Sequence, residues 1–164
     1  PELLTEKKER FKEKHKLAED LARDLSKSGK HKLFEDFVSR FGNIKPAFIA
    51  EVMISLPKTL RRKYKADDSK LTDADFEGIF KKLDSGEITK DSVEEILLAI
   101  CQGKPINYAK YAPLSDEELE KEIKDILKES AGLEFRAVMG KAMGTLKGRA
   151  EGKKIVDMLK KLQK

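Results

Sequence analysis

The 164-residue sequence holds one cysteine, no tryptophan and two histidines. A lone thiol, Cys101, closes no intramolecular disulfide and fits a reducing compartment, so a cytoplasmic setting is expected. It falls beside an apolar stripe, which predicts a buried, inert side chain rather than a nucleophile. His15 and His31 are each flanked by lysines that would repel a cation, so both read as surface histidines and neither as a metal ligand. The longest apolar runs, such as 96–101, are too short to span a bilayer, and no charged segment followed by an apolar core opens the chain. No membrane partner is expected.

Phosphate-binding glycine loops and twelve-residue calcium loops are also missing. Carboxylates are plentiful, but Asp73, Asp75, Glu94, Glu95 and the run from Asp116 to Glu118 fall where helices would begin, and complementing helix dipoles accounts for them. No catalytic, cofactor-binding or metal-ligating residue is assigned, and the chain is read as non-catalytic.

What is present is charge and helical periodicity. Charged residues make up 40% of the chain and hydrophobic ones 39%, with a formal net charge of +5. That composition gives a modest core under solvated helix faces, and the slight basic excess admits an acidic partner without demanding one. The length allows one large domain or two small ones. The first residues read as a linker running into a helix, as in a piece of a longer chain.

Apolar residues recur at helical spacing throughout. Phe11 stands almost alone in a weak opening helix. Leu17, Leu21 and Leu25 mark a second, and Leu33, Phe34, Phe37, Val38 and Phe41 a third, with Gly42 as its stop. A longer stripe runs from Phe48 to Leu60, with Pro46 in its first turn and Pro57 inside it, where a kink or division is expected. Thr72 and Asp75 frame the start of the next helix, the turn at 84–86 ends it, and Thr89 leads into another. The stretch 103–113 breaks the pattern and reads as an interdomain linker. Ser115 then caps a helix, with Glu118 reaching back as in a capping box, and two further helices follow. The expected architecture is all-α, with a helical domain over 1–112 and a three-helix tail domain over 113–164.

Two basic segments stand out. Lys58, Arg61, Arg62 and Lys65 are spaced at three and four residues, which on a helix makes one basic face fit for phosphates. The other reading is a solvated helix end whose cations complement the C-terminal dipole. The second segment, 136–164, holds nine basic residues against Glu151 and Asp157 alone. Within it Gly140, Gly144, Gly148 and Gly152 recur every four residues. Each glycine inside a helix costs about 1 kcal/mol relative to alanine. Either a neighbouring helix approaches closely there, or a phosphate backbone reaches the peptide surface. Gly148 is expected to end one helix and Gly152 to start the next.

The tail also resembles a known family. Met139, Gly140, Met143, the run Gly148-Arg149-Ala150-Glu151-Gly152-Lys153 and the closing Val156, Leu159 and Leu162 resemble the YqeY-type tail domain. That domain ends the B and E subunits of tRNA-dependent amidotransferases; Glu151 departs from the family's more usual Asp or Asn. Upstream, 17–22, 34–38, 44–50, 60–62 and 88–93 are similar to the helical domain that precedes the tail, closer to the archaeal E subunit than to the bacterial B subunit.

The resemblance implies a parent complex that converts Glu-tRNA(Gln) to Gln-tRNA(Gln), a ligase using ATP and Mg, with ammonia supplied by a glutaminase- or asparaginase-like partner subunit. It places that chemistry in an N-terminal cradle domain matched by none of the residues quoted, so no ATP, Mg or transamidation residue is assigned here. What it implies for this chain is binding of tRNA(Gln) through shape and backbone. Lys141, Lys147, Arg149, Lys153 and Lys154 would contact phosphates, and Gly140, Gly144 and Gly148 would admit close approach. The face of Lys58, Arg61, Arg62 and Lys65 would be secondary. Two rivals remain: a helical protein-interaction module in which the glycines pack a partner, and a DNA-binding helical domain.

Overall fold

Short helices alternate with sharp stops in a computed structural model of the chain, which describes residues 2–146 and 148–163. The helices are α1 (Leu4–His15), α2 (Glu19–Lys27), α3 (His31–Arg40), α4 (Pro46–Ala50), α5 (Leu56–Tyr64), α6 (Asp73–Asp84), α7 (Val93–Cys101), α8 (Asp116–Glu129), α9 (Phe135–Leu146) and α10 (Gly152–Leu162). No strand occurs among the described residues, so the fold is all-α. The chain divides into two units, Pro1–Ser85 with Val93–Ile106, and Gly86–Ser92 with Asn107–Lys164.

Phenylalanines build the first unit's core. Phe11, Phe34, Phe37, Phe76 and Phe80 are fully buried, with Leu25, Ile49, Leu60, Ile79, Ile96 and Leu97 among them. The Phe11 and Phe34 rings meet edge to face with centroids 5.7 Å apart, and Phe37 and Phe80 do so at 5.2 Å. Such arrangements add roughly 0.5–1.5 kcal/mol beyond the area buried. The Arg10 guanidinium links α1 to α3 by hydrogen bonds to Glu2 and Glu35.

His15 is not the surface side chain that its lysine neighbours suggested. It lies 8% exposed at the end of α1, with its ring edge to face with Phe34 at 5.2 Å. Its Nε2 has no hydrogen-bond partner among the described residues. The face it occupies follows from Phe11, four residues earlier on the same helix and fully buried. His31 is half-buried, with Nδ1 likewise unpartnered. Cys101 is buried.

Pro57 leaves a clear mark. In a continuous α-helix its ring would run into the carbonyl of Met53, which would also lack a donor. The chain instead makes a π turn over Glu51–Ser55, in which the Leu56 N–H donates to the Glu51 carbonyl. The long stripe is thereby divided into α4, the π turn and α5, and Pro57 sits within the first turn of α5.

In the second unit α8, α9 and α10 bury an aliphatic core of Leu119, Ile123, Ile126, Val138, Ala142, Leu146, Ile155 and Leu159. Ser115 caps α8 by accepting the Glu118 N–H at 3.1 Å. The Ser115 N–H makes no reciprocal bond to the Glu118 carboxylate, whereas Thr72, the N-cap of α6, and Asp75 make both halves of a capping box. Thr89 does not cap α7, which starts at Val93 after a 3₁₀ turn. Its hydroxyl donates to the Gly148 carbonyl and its N–H to the Tyr111 carbonyl. The stretch read as a linker contains a 3₁₀ turn, Tyr108–Tyr111, that belongs to this unit.

His15 should make stability depend on pH. Burial pushes its imidazole below the ordinary value of 6.5, with Lys14 and Arg10 opposing its protonation and Glu35 favouring it. Below pH 6.5 the unfolded chain therefore takes up a proton that the folded one resists. Stability is present above that pH and falls as the solution is acidified. Denaturant titrations above and below pH 6.5 should show the loss, and His15→Phe should flatten it; equal slopes in both proteins would refute this account. Glu151 offers a separate test. As the N-cap of α10 it has extended backbone but makes no side-chain cap bond. Glu151→Asn should stabilise α10 by about 1 kcal/mol, seen as slower amide exchange along that helix; unchanged exchange would count against it.

Candidate nucleic-acid interface

The side chains of α9 divide by helical period. Val138, Ala142 and Leu146 face the core, while Arg136, Ala137, Gly140, Lys141, Gly144 and Thr145 are exposed. A Cβ built on Gly140 or Gly144 would meet nothing within 4 Å. Within this unit, then, those two glycines serve no close helix contact, and their face of α9 is open backbone.

Gly148 has a different role. It is buried beyond the end of α9 with φ +83°, a left-handed conformation that favours glycine. Gly152 opens α10, where an added Cβ would lie 3.0 Å from Met143 Cε, so the start of α10 sits against α9.

The expected phosphate ligands are placed unequally. Lys141 pairs with Glu129 at 3.3 Å and Lys154 with Asp116 at 4.0 Å. Both are exposed pairs of a kind worth at most about 1 kcal/mol, so a phosphate can displace the carboxylates. Lys153 is exposed and has no ion pair among the described residues. Arg149 is half-buried and part of the unit's frame, because its Nε donates to the Ala112 carbonyl at 3.4 Å and its own carbonyl accepts the Leu114 N–H at 2.8 Å. Lys147 lies outside the described residues. Arg136, absent from the residues expected to contact phosphate, is exposed on α9 one turn before Gly140. The four-residue step that links Gly140 to Gly144 also reaches back to Arg136 and is the signal that points to it.

The first turn of α10 contains Gly152, Lys153 and Lys154 and no acidic residue. Cations are disfavoured there by the helix dipole, and the free N–H groups of a first turn suit an anion. The charge pattern of this turn works against the helix by itself and would favour a phosphate placed before it.

In the first unit the basic segment of Lys58, Arg61, Arg62 and Lys65 is broken up. α5 ends at Tyr64, and Lys65 follows in left-handed conformation with φ +56°. Lys58 donates to Asp24 at 2.7 Å and holds that carboxyl below the usual carboxylate range. Arg61 stands 3.7 Å from Asp68. Lys58 and Arg61 line one cavity; Arg62 and Lys65 are exposed outside its lining.

No solved structure matches the chain, but curated proteins match nearly all of it. It is 35% identical to the E subunit of glutamyl-tRNA(Gln) amidotransferase from Methanocaldococcus jannaschii, across 98% of this chain and 28% of that protein. The E subunit from Sulfolobus acidocaldarius is 36% identical across 88% of this chain and 24% of that protein, and that from Methanosarcina barkeri 29% identical across 98% and 28%. The chain thus spans about a quarter of the length of these curated relatives. The model of the GatB domain matches residues 32–162, from the first turn of α3 to the end of α10, and the chain belongs to that family.

Proposed function

We propose that this chain is the tRNA-docking part of a tRNA-dependent amidotransferase of the archaeal kind, which converts Glu-tRNA(Gln) to Gln-tRNA(Gln). The observation that carries the proposal is the first turn of α10, where lysines replace carboxylates, set against the open glycine face of α9. Lys141, Lys153, Lys154 and Arg136 contact phosphates of tRNA(Gln), and Gly140 and Gly144 let the RNA backbone approach the helix. Arg149 and Gly148 hold the turn that presents them. Readout of this kind follows shape and backbone, not base sequence. In this proposal ATP and Mg act in a catalytic domain, and a glutaminase- or asparaginase-like partner provides ammonia. The setting is cytoplasmic, where tRNA is aminoacylated and Cys101 stays reduced.

A second reading has its own observation. Leu133, just before α9, and Met143, on it, are 54% and 39% exposed, which suits a protein partner there. Salt dependence separates the two. Anisotropy titrations with unmodified tRNA(Gln) at two salt concentrations should show binding that weakens with salt and exceeds that to duplex DNA of equal length. Replacing Lys153 and Lys154 by Gln should weaken it and reduce the salt slope by about 2, roughly one for each phosphate no longer neutralised. Absence of binding at low salt by folded protein would reject tRNA docking and favour the partner surface.

A further inference from the structure

The first unit contains a cavity of about 400 Å³ that the RNA-docking proposal does not use, a volume within the range of small-ligand sites. Pro57 is part of its lining. The π turn carries Met53 and Ile54, and these, with Pro57, Leu71 and Phe76, form an apolar floor. The rim is charged. Lys27 ends α2 and Lys30 lies in the turn before α3, Lys58 and Arg61 come from α5, and the carboxylates in the lining are Asp24 and Asp68.

Within the lining, four cations against two carboxylates leave an excess of two positive charges; Asp73, outside the lining and 67% exposed, stands 3.5 Å from Lys30. A phosphate monoester carries about −1.5 to −2 at neutral pH and matches that excess, whereas an internal phosphodiester carries one charge. The rim cations are also available. Lys58 and Arg61 pair with Asp24 and Asp68 through side chains 54% and 64% exposed, and Lys30 reaches Asp73 only at 3.5 Å. Lys27 is exposed. Exposed pairs of this kind exchange partners at little cost. An inorganic phosphate would satisfy the rim but make no contact with the floor, in which Pro57 is half-buried and Met53, Ile54, Leu71 and Phe76 are buried. A ligand with one dianionic end and one flat apolar part uses both.

We infer that this cavity binds a nucleoside bearing a terminal phosphate, with Lys27, Lys58 and Arg61 on the phosphate and the base over Met53, Ile54 and Pro57. The inference does not rest on tRNA docking by the second unit. Free nucleotide and the 5′-phosphorylated end of an RNA share this chemistry, and the test separates them.

The isotope-labelled chain is titrated with 5′-AMP, adenosine, inorganic phosphate, and a short RNA with and without its 5′-phosphate, while amide shifts are followed by NMR. Saturable shifts at Met53, Ile54 and Phe76 are expected with 5′-AMP or the phosphorylated RNA, and the tighter of the two identifies the source. Adenosine and the dephosphorylated RNA should each bind at least about tenfold more weakly, since a charge-assisted contact contributes about that factor, and inorganic phosphate should bind more weakly than 5′-AMP because it lacks the apolar part. Lys58→Gln and Arg61→Gln, exposed positions that should leave the fold intact, should each weaken binding about tenfold. The inference is overturned if inorganic phosphate binds as well as 5′-AMP, if the rim variants bind normally, or if no ligand gives saturable shifts in this cavity.

Discussion

Burial of one apolar stripe per helix is the interaction on which everything else in this protein depends. The longest helix, α8, has 14 residues, and isolated helices of that length are marginal in water. With charged residues at 40% of the chain, apolar side chains are scarce and must be concentrated. The first unit does this with phenylalanine rings in edge-to-face pairs, the second with a small aliphatic set from three helices. Because so few positions satisfy the cores, the remaining faces are free to carry charge, and the functional questions all lie on those faces.

Several local rules are broken, and they divide into two kinds. His15 is buried with Nε2 unpartnered among the described residues, and Pro57 imposes a π turn; each is compensated by packing around it. The first turn of α10 is different. Lys153 and Lys154 oppose the helix dipole, Glu151 leaves the turn without a side-chain cap, and both lysines are exposed, so no packing offsets the cost. Departures that lack a structural return are the ones most informative about function. Gly140 and Gly144 belong with them, since both accept the propensity cost of glycine while facing open space.

Much of the fold was legible because helical period and terminal signals are local. The stripes of α2, α3, α6, α8 and α10, Pro46 at the first turn of α4 and the Thr72 cap all follow from residues within four positions of one another. What was not legible depends on tertiary neighbours. Thr89 suits a helix cap by type, yet its hydroxyl bonds to a carbonyl 59 residues away. Arg149 has the charge of a free phosphate ligand, yet its Nε is turned to the Ala112 carbonyl, 37 residues back along the chain. Lys65 fits the period of Lys58 and Arg61, but α5 stops one residue before it. Spacing reports which side chains share a face while the helix lasts; it does not report where the helix ends or what the face meets.

The same distinction governs how charge should be read. A net charge of +5 on 164 residues decides little, because at physiological salt charges more than about 8 Å apart on the surface are largely screened. Local groupings decide instead. Around the first unit's cavity, carboxylates stand beside the cations and leave a small, definite excess suited to a compact dianion. Along α9 and the start of α10 the cations are spread over open backbone, with exposed carboxylates beside Lys141 and Lys154, which suits a chain of singly charged phosphates. Under the two proposals, one basic composition would serve two kinds of anion recognition, distinguished by whether the cations converge on a cavity or follow a surface.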